Sequence, residues 1–255
     1  MEVTLLGTGT AIPEADRFPS SALIKTDEQT VLVDIGPGIL RRMAQAGLPL
    51  EDLDTVLITH FHTDHTADLP ALLFALRSPR YKHRPPLHIY GPPGLQQFLQ
   101  HLTAAWPWVD PEQAEYHLMV RELAPGPFEM GEMRVTAVAV EHTANSMGYR
   151  IEAEGGVAAF SGDADECPGL LELAKDADLF VCDCAFPDGS YTAGHLTPSR
   201  AGRVAAEANC RKLVLTHFYP ECAGQDLAGG ARSGEGWAFG GDVVLGEDLQ
   251  RFQVP

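Results

Sequence analysis

The chain has 255 residues, 45% of them hydrophobic, and its 35 acidic against 18 basic residues give a formal net charge of −17. That is enough apolar material for one sizeable core, but it is a poor surface for gripping long nucleic acid, and no apolar run of 18 residues exists to span a membrane. Five cysteines are an odd, sparse set, and the N-terminus reads as a strand from the second residue with no basic leader, so a cytoplasmic protein with reduced thiols is expected.

In chain order, strands are predicted near 2–6, 21–25 and 30–34, then a helix near 38–47. Asp34 ends the apolar run Val31-Leu32-Val33 and precedes Ile35-Gly36-Pro37-Gly38. A carboxylate there can cap the following helix, or accept a hydrogen bond from a ligand histidine and fix its tautomer. A strand near 55–59 and a helix near 66–77 flank the run His60-Phe61-His62-Thr63-Asp64-His65. Imidazole and carboxylate are the groups that zinc, iron and manganese accept. Four such groups on one tight turn do not all reach one ion, so His60 and His62 are expected to face one metal and Asp64 and His65 another.

Beyond the helix, Arg77, Arg80, Lys82 and Arg84 form a local basic stretch: a solvated loop, a dimer contact or a phosphate contact. A strand near 87–90 and a helix near 94–105 lead to Trp106-Pro107-Trp108, read as core packing or a dimer surface. Strands follow near 117–122, 133–140, 147–154 and 156–161, the last pair turning at Glu154-Gly155-Gly156. His142 and Asp163 each come just after one of these strands. A helix near 168–175 precedes a strand near 178–182, after which Cys182 and Cys184 share a face as buried packing residues. Gly194-His195-Leu196-Thr197-Pro198 leads into a helix near 198–208, with Thr197 as N-cap and Pro198 at the first helical position. His217 follows a strand near 212–216. The glycine-rich stretch 224–236 is expected to be mobile, and a strand near 242–245 and a short element to 252 end the chain. Strands of one sheet deliver their ends to one edge, so His142, Asp163 and His217 can converge on the six-residue cluster. No repeat or linker divides residues 1–255, which read as a single α/β domain.

His60-x-His62-x-Asp64-His65, followed by His142, Asp163 and His217, resembles the five-motif pattern of the metallo-β-lactamase fold. The opening Leu5-Leu6-Gly7-Thr8-Gly9-Thr10, the Asp34 motif and Gly194-His195-Leu196-Thr197-Pro198 look like its RNase Z-like branch. The resemblance implies a four-layer αββα sandwich holding two divalent ions, zinc first, with manganese or iron compatible with an all N and O donor set. It places His60, His62 and His142 on one ion, Asp64, His65 and His217 on the other, and Asp163 between them. It also implies a metal-bridging hydroxide as nucleophile, oriented by Asp64 and Asp163, with His195 facing the scissile group as proton donor. True class B β-lactamases lack the bridging Asp, so Asp163 points away from antibiotic hydrolysis. The branch's tRNA-gripping arm is a long insertion between the motifs of His142 and Asp163, where this chain has only 20 residues, read as a hairpin. A phosphodiesterase acting on small phosphodiesters or cyclic nucleotides is therefore expected, with phosphotriester promiscuity. A thioester or lactone hydrolase and a non-catalytic scaffold are the alternatives, and a homodimer is compatible.

Overall fold

The computed structural model describes residues 1–110 and 114–255. In chain order the strands and helices are β1 (Glu2–Gly7), β2 (Ser21–Lys25), β3 (Thr30–Val33), α1 (Ile39–Gln45), β4 (Thr55–Leu57), α2 (Thr63–Thr66), α3 (Leu69–Ala75), β5 (Leu87–Gly91), α4 (Leu95–Ala105) and β6 (Leu118–Glu122). The second half comprises β7 (Gly126–Met130), β8 (Met133–Ala139), β9 (Met147–Ala153), β10 (Gly156–Phe160), α5 (Pro168–Ala174), β11 (Leu179–Asp183), α6 (Pro198–Glu207), β12 (Lys212–Thr216), α7 (Leu227–Gly230), β13 (Ser233–Gly234), β14 (Trp237–Ala238), β15 (Asp242–Leu245) and β16 (Arg251–Gln253).

These strands build two seven-stranded sheets, ordered β16-β1-β2-β3-β4-β5-β6 and β15-β12-β11-β10-β9-β8-β7. Strand alternation explains how they stack. Val31 and Val33 face the layer between the sheets, where they meet Tyr149, Ile151, Val181 and Val214, while Leu32 between them turns outward. Outside the first sheet, Leu32, Val56 and Ile89 pack against Ile39 and Met43 of α1, Leu72 of α3 and Leu95 of α4. Outside the second, Phe180, Cys182 and Leu213 pack against Leu170 of α5 and Val204 of α6. The result is the expected αββα sandwich. Strands β3, β4 and β5 run parallel, as do β10, β11, β12 and β15, and β8 points the same way as β10 through the antiparallel β9. Their C-terminal ends therefore gather at one edge of the sandwich.

Several local expectations change. The helix read near 66–77 is the shorter α3, Leu69–Ala75, set apart from α2 because Pro70 near its start has no N–H to continue the ladder. β7 contains Gly126 and Pro127 and escaped the pattern; as an edge strand it tolerates the proline. The stretch 224–236 is structured: α7 packs on α6, Asp226 caps it by accepting the Gly229 N–H at 2.9 Å, and β13 and β14 form a small hairpin. Thr197 occupies the N-cap of α6 but its side chain makes no capping bond; Asp188 instead accepts from the Ser199 N–H (3.1 Å). Trp106 and Trp108 are 51% and 68% exposed, so the packing reading fails for them. Two charges of the basic stretch are paired, Arg80 with Glu51 (2.6 Å) and Lys82 with Glu115 (3.2 Å), and Arg84 donates to the Leu53 carbonyl. All five cysteines are free and buried, as read for Cys182 and Cys184. No helix among the described residues is long and apolar enough to cross a membrane.

Candidate metal centre

Three donor groups form among the described residues at the gathered strand ends, the third being Asp183, His195 and His217, which shares His217 with the second. The first comprises His60, His62, His142 and Asp163; the second comprises Asp64, His65, Asp163 and His217. In each, the ligating-type atoms lie within 4.8 Å of one another. The division read from the six-residue run, His60 and His62 apart from Asp64 and His65, recurs here in space. The loop after β4 supplies His60 and His62, the short α2 supplies Asp64 and His65, the loops after β8 and β10 supply His142 and Asp163, and the residue just after β12 is His217.

Asp163 belongs to both groups, one oxygen to each. Its Oδ2 lies 3.7 Å from His60 Nε2 and 3.6 Å from His142 Nε2, while Oδ1 lies 3.1 Å from His65 Nε2 and 3.2 Å from His217 Nε2. Asp64 Oδ2 closes the second group at 3.7 Å from His65 Nε2 and 3.5 Å from His217 Nε2. Donors around a tetrahedral ion with bonds of about 2.0–2.1 Å stand roughly 3.3 Å apart, so these spacings fit. Among the described residues, His60 Nε2, His65 Nε2, His217 Nε2 and Asp163 Oδ1 are buried with no hydrogen bond. Buried polar atoms without partners are costly, and convergent ones fit a cation.

The surrounding bonds orient the imidazoles. His65 Nδ1 donates to Asp34 Oδ2 (2.7 Å) and His142 Nδ1 to the Gly194 carbonyl (2.8 Å), leaving each Nε2 turned inward. Thr59 donates its N–H and hydroxyl to Asp34 (both 2.8 Å), and its oxygen lies 3.0 Å from His60 Nδ1. Asp34 thus takes the histidine-orienting role rather than capping α1, whose N-cap is Gly38. Asp34 and His217 both sit in the left-handed region, at φ 61° and 62°. Such backbone outliers cluster at functional sites. Gly162, at φ 59°, passes so close to Thr59 that a Cβ would lie 2.8 Å from the threonine Cβ, which brings Asp163 up to the other sheet's loop.

The electrostatics show what the site calls for. Burial would push His217 down, but the carboxylates of Asp163, Asp183 and Asp64 around it hold it up at about 10; His65 is raised in the same way by Asp163 and Asp34. Burial, together with the neighbouring His65, drives His60 down to about 2. Against burial, His217 and His65 keep Asp163 well below the usual carboxylate range and Asp64 at about 2. Protons on two imidazoles therefore stand where the carboxylates call for cationic charge.

His195 lies beside the second group, its ring stacked on His217 at 5.4 Å and 14°, with Nδ1 2.9 Å from Asp183 Oδ2. Burial lowers its pKa, but Asp183 more than compensates, so the imidazole is held above its ordinary value. Asp183 was missed as a site residue because it looked like the end of an apolar strand. The signal available was its position: a carboxylate at the C-terminal end of a parallel strand, beside the strands leading to Asp163 and His217. Phe186 and Tyr219, stacked at 4.7 Å and flanking His195, were missed as well.

A double sandwich with paired histidine and aspartate donor groups at its strand ends defines a metallo-β-lactamase-fold protein. Residues 29–218 match the family model described as "Beta-lactamase superfamily domain". The chain is 33% identical over 279 residues to ribonuclease Z of Mycobacterium marinum and 32% over 277 residues to that of Mycobacterium avium, covering all of this chain and 99% and 98% of those proteins. Among solved structures it is similar to the metallo-beta-lactamase fold protein YhfI of Bacillus subtilis (TM-score 0.84, 25% identity, 98% of each chain) and to the short form of human tRNase Z (TM-score 0.81, 25% identity, 100% of each chain). The chain belongs to the metallo-β-lactamase superfamily, in its ribonuclease Z-like branch.

Proposed function

We propose that this protein is a dinuclear metal-dependent hydrolase of small phosphodiesters, cyclic nucleotides among them, working as a single domain in the cytoplasm. The observation that carries the two-ion reading is Asp163, whose oxygens face different donor groups. His60, His62 and His142 would hold one ion, Asp64, His65 and His217 the other, with Asp163 on both. Bound divalent ions, most readily zinc, would supply an acidified water as nucleophile and neutralise charge on the phosphoryl oxygens.

The chain's own residues do the rest. Asp64 and Asp163 orient the attacking water. Asp183 holds His195 by Nδ1, which leaves the other ring nitrogen to give a proton to the departing oxygen. His62 is exposed and His142 half-buried, whereas the second group is wholly buried, so substrate enters over the first.

The preference for small substrates rests on the net charge of −17 and on the short, tight β9–β10 hairpin that fills the space between His142 and Asp163. The full-length likeness to ribonuclease Z supports a second reading, cleavage of an RNA 3′ extension. Metal-loaded protein is assayed on bis(p-nitrophenyl) phosphate, 2′,3′-cyclic nucleotides, a 3′-extended transfer RNA, a thioester and a lactone. Turnover of the small diesters without RNA cleavage is expected. Efficient RNA cleavage moves the conclusion to the second reading, and turnover of the carbonyl substrates alone refutes both.

A further inference from the structure

We propose that Asp165 is a positioning residue for the first donor group, an inference that rests on the two-ion reading and extends it. Asp165 is buried two residues beyond Asp163, and it ties together the loops that carry His142, Asp163 and His195. Its backbone N–H donates to the Glu141 carbonyl at 2.7 Å, directly before His142. Its Oδ2 accepts from the Tyr191 hydroxyl (2.5 Å) and the Gly194 N–H (3.1 Å), and its Oδ1 from Arg200 Nη1 (2.6 Å) and the Glu166 N–H (2.7 Å).

Gly194 passes the constraint on. Its carbonyl takes the Nδ1 proton of His142, and a Cβ at this residue would lie 2.9 Å from that same nitrogen. Asp165 holds Gly194 by its N–H, and the next peptide of the same residue turns its carbonyl to the His142 ring, fixing its tautomer and tilt and leaving Nε2 for the ion. Arg200, from α6, anchors the arrangement: its guanidinium lies 4.4 Å over the Tyr191 ring and its Nε is 3.2 Å from Glu166. The second donor group shares Asp163 but has separate anchors for its histidines, Asp34 for His65 and Asp183 near His217 Nδ1 (3.6 Å), so loss of Asp165 should fall mainly on the first group.

Asp165→Asn is the discriminating change. An amide keeps one oxygen for Arg200 and turns an NH₂ toward the Gly194 N–H, which breaks that link and leaves the Tyr191 hydroxyl to accept where it had donated. Metal-free wild type, His142→Ala, Asp165→Asn and Tyr191→Phe are titrated with cobalt(II) and followed by its visible absorption. The binding event that disappears in His142→Ala identifies the first group. In Asp165→Asn that event should weaken by about 10- to 100-fold with an altered spectrum, while the other event stays within about threefold; Tyr191→Phe should move the same event by less. If Asp165→Asn does not fold, Tyr191→Phe decides alone: selective weakening supports the proposal and unchanged binding overturns it. Two ions bound by wild type with both events unchanged, or weakened alike, in Asp165→Asn overturns the positioning role and leaves the two-ion reading standing. No cobalt uptake by wild type overturns both.

Discussion

His195→Ala should slow hydrolysis by an amount that depends on the leaving group. The residue is 9% exposed, its ring fixed by the 2.9 Å bond to Asp183 and stacked on His217, so it is oriented before substrate arrives. A positioned general acid contributes roughly 10²–10⁴ in rate, or about 2.7–5.4 kcal/mol of barrier. That loss should appear in full with a 2′,3′-cyclic nucleotide, whose departing alkoxide needs a proton. With bis(p-nitrophenyl) phosphate it should be slight, because nitrophenolate leaves as a stable anion. Asp183→Asn removes a hydrogen bond to a charged partner worth about 1.5–3 kcal/mol, which corresponds to a roughly 10- to 150-fold loss on the cyclic substrate. The double variant should be little worse than His195→Ala, since the two residues act as a unit. Steady-state kcat on both substrates, with metal content measured on each variant, makes the comparison. Equal losses on both substrates with metal content intact would refute proton delivery by His195.

Other outcomes follow from the same geometry. Asp163→Ala should lose both ions and activity together, since its two oxygens serve both groups; activity surviving with two bound ions, by elemental analysis, would rule out the bridging role. Asp34→Asn should weaken zinc binding by about 10- to 100-fold, because an amide facing His65 Nδ1 favours the tautomer with its proton on Nε2; competition with a chromogenic chelator reads this. Chelation should lower the melting temperature, since ions bound only by the folded state stabilise it by mass action, and an unchanged melting curve would argue against the site. Trp106→Ser with Trp108→Ser should shift a homodimer toward monomer in sedimentation, given the exposure of both rings, and a normal fold with unchanged mass would remove this surface from the dimer reading.

The candidate donors stood out for a local reason: four crowd one six-residue run, and His142, Asp163 and His217 each come just beyond a short β-rich run of a sheet whose strands end together. Asp34 could be read the same way. Asp183 was not, because its neighbours Cys182 and Cys184 made the strand look wholly structural and its carboxylate acts only through residues distant in sequence. Asp165 was hidden for a related reason, since its partners Tyr191, Gly194 and Arg200 lie on another loop and helix. The fold's layers followed from alternation, but β7 was lost behind Pro127, and the 66–77 helix was overextended because the leucine spacing spoke louder than Pro70. The glycines of 224–236 looked like freedom, whereas the α6–α7 contact at Gly202 uses a missing side chain: a Cβ there would lie 2.1 Å from the Ala231 carbonyl oxygen.

The placement of Asp163 has a consequence for biogenesis. His60, His62, Asp64 and His65 hang from the first sheet, while His142, Asp163 and His217 hang from the second. Neither half can close a complete donor set alone, and the ions would bolt one leaf of the sandwich to the other. During synthesis, the first leaf's histidines emerge long before their counterparts, and no fully coordinated pair can form until β12 has been laid down. On the two-ion reading the hydrolase would be silent as a nascent chain, and metal capture would mark the moment at which its two leaves have met.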